Sequence, residues 1–123
     1  MPSNINRGPR QIWLAFIWSM KGLRAGWRIE ASFRLEVILL VILFPIGLWL
    51  GNGAIEKALL AGSLLPVPAA EMLNSAIEAV VDKLWPEHHE IAGRAKDMGS
   101  AAVFLLMVNM LVIWGVILLP RVL

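Results

Sequence analysis

The sequence predicts an all-α integral membrane protein: an amphipathic helix lying in the membrane interface, followed by three transmembrane helices, all in one domain. Three observations lead there. Hydrophobic residues make up 59% of the 123-residue chain, more than an ordinary soluble domain carries. Charges are clustered, so that windows 37–55 and 98–120 contain none, and each is long enough to cross a hydrocarbon core of about 30 Å. A third window, 58–81, is interrupted only by Glu71 and Glu78. No cysteine is present, which excludes disulfides, thiolate metal sites and cysteine nucleophiles.

Each element has its own sequence basis. Residues 1–9 include Pro2, Gly8 and Pro9 and are expected to be loose. The N-terminus does not read as a cleaved signal peptide, because Lys21, Arg24 and Arg28 interrupt its apolar residues. Over about 10–28, Trp13, Phe16, Ile17, Met20, Leu23 and Trp27 recur at helical steps, with the basic residues elsewhere on the wheel. That pattern predicts a helix with its aromatic face toward acyl chains and its cations toward headgroups.

The first span is expected over about 34–50, bent near Pro45 and Gly47, with Gly51-Asn52-Gly53 as a tight turn. The second is expected over about 54–84; Pro66 and Pro68 each remove a backbone donor, which should kink the helix or demand help from neighbours. Trp85-Pro86 closes it, Glu87-His88-His89-Glu90 forms a polar loop, and the third span covers about 93–119. Trp49 and Trp114 read as interfacial anchors, with Glu56 and Lys57 marking the outer boundary. Nine of the eleven lysines and arginines, all but Lys57 and Arg121, fall on one side of these spans. The N-terminus and second loop are therefore expected in the cytoplasm and the C-terminus outside. The adjoining spans favour lipid headgroups, not nucleic acid, as partners of these cations.

The second span carries the residues that hydrophobic burial does not explain. At 100° per residue, Glu71, Glu78 and Asp82 project within about 40° of one another, with Asn74 about 60° to one side. A carboxylate in hydrocarbon costs roughly 2.5–3.5 kcal/mol, so such a stripe needs a reason. Glu30 and Lys96-Asp97 are positioned to converge on it. Glu30, Glu78, Asn74 and Asp97 offer oxygen ligands suited to Mg²⁺, and Lys96 could offset the charge of a polyphosphate. Glu71, the deepest member, is placed to act as a general base. This chemistry is phosphoryl transfer from a nucleotide to a hydroxyl at the membrane surface. Proton-coupled transporters also use intramembrane acids, and no G-x-x-x-x-G-K-[ST] phosphate loop is present. Glu78 pairing with Lys96 or Arg94 is the purely structural alternative, and Asp82 is either the end of the stripe or a solvated helix terminus.

Glu71-x-x-Asn74-Ser-Ala-Ile-Glu78-Ala-Val-Val-Asp82, followed by His89-Glu-x-x-Gly93-Arg94-Ala-Lys96-Asp97-Met-Gly-Ser100, closely resembles the signature of prokaryotic diacylglycerol kinases. The similarity extends through Lys21-Gly22-Leu-Arg24-Ala25-x-Trp27, Glu30-Ala-x-Phe33-Arg34-x-Glu36 and Trp49-Leu50, covering nearly the whole chain. The resemblance implies a homotrimeric enzyme of the bacterial inner membrane that uses ATP and Mg²⁺ to phosphorylate diacylglycerol. It implies Glu71 as catalytic base and Glu30 and Glu78 as Mg²⁺ ligands. Trp18, Glu30, Asn74, Glu78, Glu87, His89, Lys96 and Asp97 would surround ATP. Ser19, Arg24, Ala25, Trp27, Phe33, Arg34, Glu36, Trp49, Glu71, Ser100 and Trp114 would line the lipid side. Undecaprenol kinases share the motifs and differ in acceptor. Two departures stand out: Gln11 replaces an arginine of close relatives, with Arg10 beside it and Arg7 a turn away, and Pro66 and Pro68 replace ordinary apolar residues.

Overall fold

A computed structural model describes residues 8–123; Arg7 and the rest of 1–7, including Pro2, lie outside the described residues. Five helices follow one another: α1 (Pro9–Ile29), α2 (Ala31–Leu50), α3 (Gly53–Gly62), α4 (Pro66–Leu84) and α5 (Glu90–Val122). Helix α1 starts within the segment expected to be loose. Pro9 sits in its first turn, where a missing backbone N–H costs nothing. Ile12, Trp13, Phe16, Met20, Leu23 and Trp27 are exposed along it, as an interfacial helix requires.

One extended residue, Glu30, separates α1 from α2. The corner is held by Arg34, whose guanidinium donates to the carbonyls of Trp27 (2.8 Å) and Arg28 (3.2 Å). These are C-terminal carbonyls of α1 that lack helical partners, and a cation there also favours the helix dipole. Helix α2 starts three residues before the expected Arg34 and continues through Pro45 without interruption. Gly53 then takes a left-handed φ of +81°, which a side chain would resist, and turns the chain back.

The second span is broken, not merely kinked, between Gly62 and Pro66. Pro66 and Pro68 cannot donate to the carbonyls of Gly62 and Leu64, and Pro66 instead opens a new helix. At the break, Leu64 N–H turns to the Ala61 carbonyl at 3.2 Å. The Leu60 carbonyl is taken up by two side chains, Ser63 Oγ (3.0 Å) and Trp114 Nε1 of α5 (3.0 Å). Trp114 therefore stitches α5 to the broken span, a contact additional to the interfacial anchoring that the sequence pattern suggested.

Helix α5 begins at Glu90, three residues earlier than expected, because His89 caps it by accepting from Ala92 N–H at 3.3 Å. With α3 and α4 taken as one broken span, three helical segments are long and apolar enough to cross a membrane. The tightest packing is α4 against α5 and α2 against α3. The core is thin, built on Phe33, Leu60, Leu64, Val67, Val81 and Val103. Most other large apolar side chains, such as Leu105, Leu111 and Val116, face outward, as lipid-facing residues do.

Candidate active site

Helix α4 brings Glu71, Asn74 and Glu78 onto one face, with Glu71 only 9% and Asn74 7% exposed. The Glu71 carboxyl has three other carboxylates in its neighbourhood: Glu36 on α2, Glu78 on the same face of α4, and Glu30 at the α1–α2 corner. Asn74 Nδ2 donates to Glu78 Oε1, one turn along, at 3.1 Å. Two polar atoms in this cluster, Glu36 Oε2 and Asn74 Oδ1, are buried with no hydrogen-bond donor. Buried polar atoms are rarely left so, which makes this cluster the candidate site.

Among the described residues no lysine or arginine pairs with Glu36, Glu71 or Glu78. Lys96, which with Arg94 was the purely structural alternative as a partner for Glu78, pairs instead with Asp82 at 2.8 Å. Asp82 is thus exposed and bound to a cation, apart from the buried members of the stripe. Lys96 and Asp82 line a polar pocket of about 190 Å³ with Trp85, Glu87, His88 and His89. The Trp85 and His89 rings lie 5.6 Å apart. This pocket adjoins the α4–α5 loop, with Asp97 exposed on α5 nearby.

The donor set fits Mg²⁺. No three of the described His, Asp and Glu side chains converge as a metal cage. Mg²⁺ does not require one, since it is commonly held by one or two carboxylates together with substrate phosphates. Glu30 and Glu78 supply two all-oxygen side chains beside Glu71.

The remaining candidates are spread over several elements. Trp18 is half-buried on α1; Arg24, Ala25 and Trp27 are exposed there, and Ser19 Oγ is bonded to its own helix at Ala15 (2.9 Å). Phe33 is buried in the α1–α2 corner against Gly26, and Arg34 holds that same corner. Trp49 is 82% exposed at the end of α2, far from the acids along the chain of that helix. Ser100 is exposed on α5, and the Trp114 indole N–H is occupied by Leu60. The direct meeting of Glu36 with Glu71 has no sequence signal, because the two residues lie on different helices. Gly99, which packs on Asn74, carried none either beyond its place in the motif.

The family model described as prokaryotic diacylglycerol kinase matches residues 17–118. The chain is 45% identical over 116 residues to the diacylglycerol kinase of Escherichia coli (strain K12), covering 94% of this chain and 95% of that one. It is 46% identical over 101 residues to the diacylglycerol kinase of Haemophilus influenzae, covering 82% and 86%. Against the diacylglycerol kinase of Pseudomonas aeruginosa it is 42% identical over 112 residues, 91% of each chain.

Proposed function

The chain belongs to the prokaryotic diacylglycerol kinase family, and from that premise we propose that it transfers the γ-phosphoryl group of ATP to the free hydroxyl of diacylglycerol, giving phosphatidic acid. It is a lipid kinase and a bacterial membrane protein. The observation that carries the mechanism is the buried Glu71, with other acids around it and no cation paired with it among the described residues.

In this reading Glu71 accepts the hydroxyl proton as the lipid oxygen attacks the γ-phosphorus, and ADP departs as the bond to the β-phosphate breaks. Glu30 and Glu78 would hold Mg²⁺, which when bound offsets the charge of the phosphates. Asn74 holds Glu78 through its amide. Lys96 exchanges Asp82 for phosphate oxygens in the polar pocket, with Glu87, His89 and Asp97 around the nucleotide and Trp18 reaching in from α1. The lipid slides in laterally along α1 and α2, past Arg24, Trp27 and Glu36. The excess of cations at the α1 and α4–α5 loop end supports a cytoplasmic, inner-membrane site for the reaction. Assembly as a homotrimer would shield the acids from lipid and complete the sites.

Lipid-dependent ADP release in mixed micelles tests this. Glu71→Gln is expected to lose about 10²- to 10⁴-fold in turnover. Glu78→Gln is expected to lose turnover and to require more Mg²⁺. Wild-type turnover in Glu78→Gln would remove the metal assignment. Turnover with undecaprenol but not diacylglycerol would replace the acceptor.

A further inference from the structure

Gly99 lies buried in the interior of α5, a 33-residue helix in which glycine is a poor choice on propensity alone. Its surroundings supply the reason. A β-carbon on Gly99 would collide with Asn74 Oδ1 and stand 3.3 Å from Asn74 Cγ and 3.6 Å from its Cα. The other glycines of α5 have no such neighbour: Gly93 has nothing within 4 Å, and Gly115 has an ordinary contact with Leu119 at 3.7 Å. The three atoms nearest to that β-carbon position all belong to Asn74, which is pressed into the space that Gly99 leaves.

The Asn74 amide is a rigid plane with two ends. Its nitrogen donates to Glu78 Oε1 at 3.1 Å, and a carboxylate oxygen that accepts fixes which end is nitrogen. Its oxygen is buried against Gly99 with no donor. No hydrogen bond holds that oxygen, so packing against the bare Gly99 α-carbon determines where it rests. Displacing it turns the whole amide and with it the bond to Glu78.

We propose that Gly99 is a positioning residue for phosphoryl transfer: the absence of its side chain seats the Asn74 oxygen, and that seat sets the direction in which Asn74 holds the Glu78 carboxylate. The inference rests on the reading of Glu78 as a metal-holding residue given above.

The test compares Gly99→Ala, Gly115→Ala, Asn74→Ala and the Gly99→Ala/Asn74→Ala double variant as full-length protein in mixed micelles. Gly99→Ala is expected to reduce kcat about 10²-fold, as a misplaced group in the site does. Its lipid KM and thermal midpoint should stay near those of Gly115→Ala, while the Mg²⁺ concentration for half-maximal rate rises. The Asn74 side-chain amide resonance, identified by its loss in Asn74→Ala, should move in Gly99→Ala and stay in place in Gly115→Ala. In the Asn74→Ala background, Gly99→Ala should add no further loss.

Wild-type turnover with an unmoved resonance in Gly99→Ala would overturn the proposal. So would a loss of turnover that tracks thermal stability and adds to that of Asn74→Ala, since plain packing damage behaves that way. If Gly99→Ala does not fold, restoration of folding by Asn74→Ala supports the steric seat, and failure to restore it overturns the seat. Full turnover in Glu78→Gln would remove the metal reading itself. Loss in Glu78→Gln beside an unaffected Gly99→Ala would remove only the role of Gly99.

Discussion

The two ends of the helical bundle treat their charges in opposite ways. Where the α2–α3 turn meets the C-terminus of α5, Glu56 and Arg121 are paired with each other and with backbone. Arg121 donates to the Leu50 carbonyl at 2.8 Å and to Glu56, and the same Glu56 oxygen accepts from Asn52 N–H at 2.9 Å. One cation thus caps α2 and ties it to α3 and α5. Toward the other end, Glu36, Glu71 and Glu78 gather with Asn74 and, among the described residues, pair with no cation, and two of their polar atoms have no donor. A chain selected only for stability would pair the second group as it pairs the first. In the function proposed above, the unpaired group is the one that would accept a proton, a metal ion and a phosphoryl donor, and an unsatisfied site is the usual cost of such work.

Charge removal at each end should therefore have opposite consequences. The largest effect is expected at Glu71: Glu71→Gln should lose about 10²- to 10⁴-fold in turnover while its thermal midpoint rises. A fall in the midpoint of that variant, measured in the same micelles, would break the contrast. Arg121→Ala should do the reverse, lowering the midpoint by about 4 °C with turnover per folded molecule unchanged.

A smaller loss should follow Trp114→Phe, which keeps the ring but leaves the Leu60 carbonyl with only the Ser63 hydroxyl. About 0.5–1.5 kcal/mol of stability, read from reversible unfolding, is the expected cost of that one hydrogen bond. Unchanged stability would mean that the break at 63–65 does not depend on α5. Asp82→Asn should be the mildest, within about 1 °C of wild type, because its pair with Lys96 is exposed. A drop larger than that of Arg121→Ala would show that this exposed pair, and not the outer clamp, holds the bundle.

Much of this was legible along the chain. Uncharged windows located the spans, and the three- and four-residue steps of aromatic residues located α1. The stripe of Glu71, Asn74 and Glu78 followed from one helical period. The two prolines announced trouble in the second span but not its form, since a kinked helix and two helices remove the same donors. The break became definite only where Leu60 found Trp114 and Ser63. Asp82 lay on the stripe by angle, yet it sits exposed in the last turn of α4, paired with Lys96. Arg34 and Phe33, grouped with the lipid side by resemblance, sit at the α1–α2 corner, one capping α1 and the other filling the bend.

The sequence by itself determined three spans, an amphipathic first helix, the acids that share a face and the family to which they belong. Those properties depend on hydropathy, on residue type and on a fixed 100° step, all of which are one-dimensional. Only the tertiary structure brought Glu36 to Glu71, Lys96 to Asp82, Arg121 to Leu50 and Asn74 to the bare backbone of Gly99. Each of those contacts joins residues on different helices. Their meeting depends on where the helices cross and how closely they approach, and no period along a single helix records that.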